Sequence, residues 1–393
     1  MSGPGYSIRF VESAGQIGPE LWDACFPPPL EGCWFYRALE GCGIEDQFTF
    51  TYAVIYRGST PVGIAPGFLM NVPIRLVVPP ALLPLFAIPG KVFSSLLYQR
   101  TLFVGCPCAD EGTVGLVPDV DRRAALLAVQ DAFAARARAL NAPMLVWKDF
   151  PDACAADLEW MAAERGLFRM VSFPGTVVAL PGPRKEDYFT SLKGSRRHIV
   201  KKKIARSARN VAIGAEIIQA PDAGTIDELF GLFWQTYEKA TTQFEKLNRR
   251  FFEIVAQNSR SHFIVLKDAV SGRILAFMLC FDMGQRIINK FIGIDYRQPK
   301  EWLLYFRLWD AAVDWALSRG ATSIQSGQTG YAPKIETGHR LVPLTNYCRH
   351  RNPIVHGVYR AIARQIDWGT LDEDLARFLK AHPEAAQAAK PPG

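Results

Sequence analysis

A chain of 393 residues is too long for one average domain and fits two of roughly 180–200 residues, each large enough to bury its own core. With 49% hydrophobic and 21% charged residues its composition is that of an ordinary globular protein, and it has no run of 18 apolar residues to cross a bilayer as a helix. The net charge of +7 is uneven: Lys193 to Arg209 carries eight Lys/Arg and no carboxylate, so the positive field comes largely from one segment.

In chain order, the first half alternates helices and strands. It opens with a strand at Ser7–Glu12 and helices at Pro19–Cys25 and Cys33–Glu40. Phe48–Tyr56 and Val62–Met70 read as neighbouring strands around Arg57-Gly58-Ser59-Thr60-Pro61, a hairpin signal. Leu76–Gly90 (LVVPPALLPLFAIPG) carries no charge, and its four prolines exclude a helix. It reads as buried in the first lobe, or as an apolar lid over an acyl or lipid substrate. A helix over Asp121–Leu140, a strand at Pro143–Lys148, a helix over Ala155–Arg165 and a strand at Phe168–Leu180 follow. Pro181-Gly182-Pro183 reads as the boundary between domains 1–183 and 184–393.

The second half repeats that order. Asp187–Ala208 reads as a basic helix, Val211–Gln219 as a strand, and Thr225–Thr241 and Arg249–Gln257 as helices. Phe263–Lys267, Ile274–Asp282 and Arg286–Gly293 form three successive strands, and Glu301–Arg319 is the next helix. In that helix Tyr305, Leu308, Trp309 and Val313 read as core. A strand near Thr322–Gln325, a glycine-rich loop, a strand at Leu341–Tyr347 and helices at Pro353–Ile366 and Leu371–Ala381 complete the chain, with an Ala/Pro-rich tail from Glu384 expected to be disordered. The fold class is therefore α/β (α+β), in two lobes that share an order of elements.

The eight cysteines contain no Cys-x-x-Cys, and Cys106 and Cys108 are the one close pair, so they read as buried thiols with neither a metal site nor a disulfide framework. The beginning, Met1-Ser2-Gly3-Pro4-Gly5-Tyr6, lacks the charged and apolar segments of a signal peptide, and the expected location is cytoplasmic.

Ser326–Pro343 (SGQTGYAPKIETGHRLVP) is the stretch most able to carry chemistry. Three glycines let the backbone approach a ligand, and Gln328, Tyr331, Lys334, Glu336, His339 and Arg340 supply donors, acceptors and charge. This run, with the helix before it and Asn346–Pro353 after it, resembles the C-terminal part of the FemAB-like acyltransferase families of the GNAT superfamily. The resemblance covers roughly 200 residues of the second half; in the first half it is looser, through Trp34–Glu40 and the following strand pair.

The resemblance implies two tandem GNAT-like lobes, each a mixed, largely antiparallel sheet flanked by helices, with the working site mainly in the second lobe. It also implies an acyl or aminoacyl group passing from an activated donor to an amine. In that scheme a thioester carbonyl docks beside a splayed strand, expected at Ile274–Asp282 with Arg286–Gly293 as its partner, and the carrier's pyrophosphate caps a helix N-terminus. The turn Tyr296–Trp302 would open that helix, with Gln298, Pro299, Lys300 and Trp302 as candidate cofactor contacts. No glycine lies between Gly293 and Gly320, so the glycine-rich pyrophosphate loop common among coenzyme A users is missing.

The FemAB-like pattern places a lysine after a short glycine-rich stretch, which Lys334 matches; an ammonium there could stabilise the oxyanion of the tetrahedral intermediate. Tyr331 could protonate the leaving group, and Glu336 or His339 could accept a proton from the amine. Asp282, at the end of an apolar strand, is a candidate base, as is Asp295; both also suit turns. Gln328, Arg196, Lys202 and Arg206 are candidate substrate contacts.

In the basic helix Val200, Ile204 and Ala208 form an apolar stripe and Lys202, Arg206 and Arg209 a basic one. The excess of charge implies an anionic partner: tRNA, nucleotide-sugar phosphates, an acyl carrier protein or a membrane surface. The leading expectation is an N-acyltransferase using acyl-coenzyme A or a carrier-protein thioester. No tightly bound cofactor or metal is implied. The alternatives are an aminoacyl-tRNA-dependent enzyme with a cell-wall-like acceptor, and a non-catalytic module that binds an anionic surface.

Overall fold

The computed structural model describes residues 5–73, 98–240, 243–386 and 388–390, so Leu76–Gly90 lies outside the described residues. The chain runs β1 (Tyr6–Val11), α1 (Pro19–Cys25), α2 (Cys33–Glu40), β2 (Thr49–Arg57), β3 (Thr60–Pro73), β4 (Tyr98–Val104), β5 (Gly115–Leu116), α3 (Arg122–Ala139), β6 (Met144–Pro151), α4 (Ala155–Arg165), β7 (Phe168–Val171), β8 (Gly175–Ala179), α5 (Lys185–Ser191) and α6 (Gly194–Asn210). It continues through β9 (Ile213–Ile218), α7 (Ala223–Lys239), α8 (Arg249–Ala256), β10 (Ser261–Asp268), β11 (Ile274–Asp282), β12 (Arg286–Ile294), α9 (Leu304–Ser318), β13 (Ser323–Gln325), α10 (Tyr331–Glu336), β14 (Arg340–Val342), β15 (Leu344–His350), α11 (Pro353–Ala363), α12 (Trp368–Leu371) and α13 (Glu373–Ala381).

These elements form two compact units that are discontinuous in sequence. Unit 1 comprises residues 1–27, 45–174 and 343–393; unit 2 comprises 28–44 and 175–342. The chain thus changes unit just before β8, ahead of the Pro181-Gly182-Pro183 punctuation, and changes back at Pro343. Two local facts explain this. Pro343 has no N–H for a ladder, so the strand expected over Leu341–Tyr347 divides into β14 and β15, which join different sheets. Likewise α2, expected with the first half, packs in unit 2, where Phe35 meets Phe251 and Phe281 edge-on and Asn248 donates to the Cys42 carbonyl at 2.7 Å.

Unit 1 holds an eight-stranded sheet of order β1-β2-β3-β4-β6-β15-β7, with β5 on β3. Helix α3 starts where the Asp121 carboxylate accepts from the Ala124 N–H at 3.1 Å, and it buries Leu126, Val129 and Phe133 on the sheet. Gly67 permits that contact: a Cβ there would lie 2.6 Å from the Phe133 ring. Among the described residues the one parallel pairing in the unit joins β4 to β6, from Thr101↔Met144 to Val104↔Trp147.

Unit 2 holds a seven-stranded sheet of order β14-β8-β13-β12-β11-β10-β9. Helix α9 lays Leu308, Trp309, Ala312 and Val313 on one cluster with Ile264, Met278, Ile287 and Ile324, and Trp309 is fully buried while Tyr305 packs at its edge. A second aromatic cluster joins Phe233 of α7, Phe252 of α8, Phe277 and Phe291. Gly293 lets α7 pass close over β12, since a Cβ there would meet the Phe233 backbone nitrogen at 2.6 Å.

Four further expectations change locally. The basic helix is two helices, because Leu192 and Lys193 are extended and the Leu192 side chain turns into the core. The helix expected from Glu301 begins at Leu304, after a 3-10 turn at Lys300–Trp302 and a left-handed Leu303 (φ 50°). Part of the glycine-rich loop coils into α10. The tail is partly ordered: Pro383–Ala386 form a 3-10 turn and the Trp368 N–H donates to the Ala389 carbonyl at 3.3 Å.

Candidate active site

In unit 2 the parallel pairing of β12 with β13 is shorter than β12 itself. Strands β12 and β13 pair in parallel over only three rungs, Arg286↔Ser323, Ile287↔Ile324 and Ile288↔Gln325, while β12 runs on to Ile294. Beyond Ile288 the ladder between them stops while β12 continues, and this end of the pair is the fork. Strands β11 and β12 stay antiparallel from Asp282↔Ile287 to Ala276↔Ile294, so Ile274–Asp282 is not the splayed strand; the splay lies one strand over, on β12. The register slips between Cys280↔Asn289 and Leu279↔Phe291, making Lys290 the extra residue of a bulge at the fork.

At the apex of the fork the side chains form a neutral relay. Asn289 Nδ2 donates to Ser326 Oγ at 3.3 Å, and Ser326 Oγ lies 2.9 Å from His339 Nε2. His339 Nδ1 lies 2.9 Å from the Lys334 carbonyl, which can only accept, so Nδ1 carries the proton and Ser326 O–H donates to Nε2. Burial, and then the charge of Lys334, lower the His339 pKa to about 3, so its ring is neutral near pH 7. Trp309 packs against it with ring centroids 4.6 Å apart, and Trp309 Nε1 in turn donates to Tyr188 Oη at 2.9 Å.

The glycine-rich loop is closed on itself by Lys334. Its ammonium donates to the carbonyls of Ser326, Gly327 and Gln328, the last two at 3.3 Å. Positive φ at Gly327 (54°), Thr329 (66°) and Gly330 (61°) turns those carbonyls inward. The loop is anchored to β8, where Thr176 Oγ1 donates to the Gly327 carbonyl and the Ser326 N–H to the Thr176 carbonyl, both at 2.9 Å.

The structure gathers five of the expected residues, Gln328, Tyr331, Lys334, Glu336 and His339, in this loop and α10. Their placements differ from the roles expected of them. Lys334 is turned onto backbone oxygens, Tyr331 is fully buried, and a histidine with a pKa near 3 is a weak proton acceptor. Glu336 receives Lys203 of α6 at 2.7 Å, which ties the basic helix to the loop. On α6, Lys202 and Arg206 are exposed and Arg196 half-buried, and none has an ion pair among the described residues, whereas Lys201 is held by Glu186 at 2.9 Å.

Asp282 and Asp295 lie away from the loop. Asp282 sits at the opposite end of β13, where it pairs with Arg319 at 2.8 Å and accepts from the Gly284 N–H. Asp295 ends the far limb of β12. Burial alone would raise its pKa, but hydrogen bonds from Arg297 and Gln298 hold it below the usual carboxylate range. Gln298 is thus engaged by Asp295. Pro299 and Lys300 are exposed, and Trp302 is half-buried in the 3-10 turn, onto which α6 is pinned by Ser207 Oγ on the Trp302 carbonyl and Asn210 Nδ2 on the Glu301 carbonyl.

Sequence reasoning placed Ser326 in the loop without a role, and missed Asn289 and the buried pair of Lys290 with Glu31, whose side chains are 1% and 10% exposed and 2.7 Å apart. The available signal was the polar pair Asn289-Lys290 between apolar residues of the strand RIINKFIGI.

No protein-family model and no curated protein matches this chain. Solved structures do. The crystal structure of FemX superposes with a TM-score of 0.60 at 11% identity, covering 90% of this chain and 100% of FemX. A conserved protein of unknown function from Bacteroides thetaiotaomicron gives 0.54 at 12% identity, over 87% of this chain and 99% of that one. A tandem GNAT protein from the clavulanic acid biosynthesis pathway gives 0.51 at 12% identity, over 88% and 99%. The chain therefore has the FemAB/GNAT-like fold, with two mixed sheets flanked by helices. At these identities the likeness establishes the fold and leaves the reaction to be argued from the site.

Proposed function

We propose that this chain is an N-acyltransferase that moves an acyl group from an acyl-coenzyme A or carrier-protein thioester to an amine, with the fork of unit 2 as its active site. The observation that carries this reading is the parallel pair that opens after Ile288↔Gln325 and leaves the β12 edge from Asn289 onward beside a neutral, hydrogen-bonded apex. A thioester carbonyl laid along that edge meets backbone N–H groups where negative charge develops. The amine nitrogen bonds to the carbonyl carbon, the C–S bond breaks and the sulfur leaves as thiolate. With His339 too weak a base, Glu336 on α10 is the remaining candidate to accept the amine proton.

In this reading Lys334 shapes the loop that walls the fork, and its charge polarises the site from behind the Ser326, Gly327 and Gln328 carbonyls. The carrier's phosphates fall to the start of α9, which has no side-chain cap, and to Lys300 and Arg209 in the neighbouring turn and helix. Lys202 and Arg206 extend that positive surface, which also favours a second reading, a polyanionic donor such as an aminoacyl-tRNA. Either donor implies a cytoplasmic enzyme without a tightly bound cofactor.

A thermal-shift comparison of coenzyme A, several acyl-coenzyme A esters and charged tRNA tests the reading. A donor at a hundred times its Kd stabilises by about 2.7 kcal/mol. Stabilisation by an acyl-coenzyme A supports the first reading, stabilisation by charged tRNA alone moves the assignment to the second, and no response to any donor leaves an anion-binding module.

A further inference from the structure

The outer face of α11 in unit 1 is apolar where a surface helix is normally polar. Ile354 and Val358, one turn apart, are 77% and 54% exposed, and Gly357 and Ala361 on the same side add no polar group. The opposite side is anchored: Ala363 is buried, Phe168 meets His356 edge-on with centroids 5.1 Å apart, and Tyr359 Oη donates to Gln99 Oε1 at 3.3 Å. The helix is held in place with its apolar side outward.

Along the chain, the charge of this segment has one sign. From Pro343 to Ile366 the chain has four arginines, Arg349, Arg351, Arg360 and Arg364, and no carboxylate. All four are exposed, and none has an ion pair among the described residues. Arg360 and Arg364 lie one turn apart on one flank of the apolar strip, and Arg351 precedes the helix.

We propose that α11 docks unit 1 on an anionic lipid surface, with Ile354 and Val358 entering the boundary between headgroups and acyl chains and the arginines contacting lipid phosphates. Two observations favour lipid over other occupants. The exposed strip is aliphatic and has no aromatic ring on which a nucleic-acid base would stack. A second copy of the same face would bring like-charged arginines together. This inference does not depend on the acyl-transfer reading.

The test is co-sedimentation of the full chain with vesicles of phosphatidylcholine alone and of phosphatidylcholine with phosphatidylglycerol. Wild type is expected to partition onto the anionic vesicles, less so as salt rises. The double variant Ile354→Ser/Val358→Ser, at positions that contribute little to the core, is expected to lose about tenfold or more with an unchanged circular dichroism spectrum. Arg360→Glu and Arg364→Glu are each expected to lose at least about fivefold. Equal binding by wild type and the serine variant would overturn the proposal. So would loss of vesicle binding on Lys202→Glu/Arg206→Glu with none on the α11 variants, or binding of tRNA and not vesicles by the α11 surface.

Discussion

Among the described residues each unit contains one parallel strand pair, and the two pairs end differently. In unit 1, β4 stops at its last rung, Val104↔Trp147, and the chain turns away at Gly105 (φ 130°). Beyond that rung the buried Asp149 carboxylate takes Lys148 and Ser172, and the Asp149 N–H donates to Asn346 Oδ1 at 2.8 Å, a closed ionic cluster. In unit 2, β12 runs on past its last rung and the apex holds the neutral Asn289–Ser326–His339 relay. A parallel pair that ends in a satisfied ion cluster is a structural joint, whereas one that opens onto a strand edge can receive a carbonyl. In the proposed reading, the same fold separates a scaffold from a site by how one pair of strands terminates.

The largest expected effects come from the buried charges beside the two pairs. Glu31→Gln in unit 2 removes the carboxylate from a Lys290 that is 1% exposed, and chemical denaturation should show a loss on the order of 3 kcal/mol. Asp149→Asn should cost less, about 1–3 kcal/mol, because the Lys148 side chain is 13% exposed and can reach water. If Asp149→Asn proved the more damaging, the contrast between the buried pairs would fail.

Next, Lys334→Ala should free the carbonyls of Ser326, Gly327 and Gln328. Amide exchange in residues 326–330 should accelerate, and turnover with the true donor should fall by about tenfold or more while donor affinity is kept. Unchanged turnover would remove Lys334 from the mechanism and leave it a loop clasp. Lys148→Ala, the matching change in unit 1, should leave turnover unaltered.

Near neutral pH the smallest effect belongs to His339, and it grows on acidification. Its folded pKa of about 3 lies below the ordinary 6.5, so the unfolded chain binds a proton more readily between those values. Its contribution is fully present above pH 6.5 and is lost as pH falls toward 3. Wild type should therefore lose up to about 1.4 kcal/mol per pH unit more than His339→Gln across that window, a difference readable from denaturation midpoints. Parallel curves would mean that His339 is exposed to water.

Much of this architecture was legible in the sequence, because hairpins and amphipathic helices carry local signals. The strands around Arg57–Pro61 and the helix over residues 122–139 needed only alternation, a turn and 3.6-residue spacing. The exchange of segments between units was not legible: whether β15 joins β6 and β7 or continues beside β14 depends on long-range pairing that no local pattern encodes. The loop stands out in the sequence through its glycines, but the sequence alone suggests side chains that face a ligand. Lys334 and His339 instead meet backbone oxygens from their own loop, a return that requires the positive φ values at Gly327, Thr329 and Gly330. The fork shifted by one strand because apolar runs in β11 and β12 look alike, and only the parallel partner distinguishes them.

The claim that unit 2 carries the site is tested most directly by hydrogen–deuterium exchange of the full chain with and without the donor that stabilises it. The account expects protection along β12 from Asn289 to Ile294 and across residues 326–339, with β4 and β6 unchanged. Protection centred on residues 101–104 and 144–151 of unit 1, with the β12 fork unaffected, would contradict it.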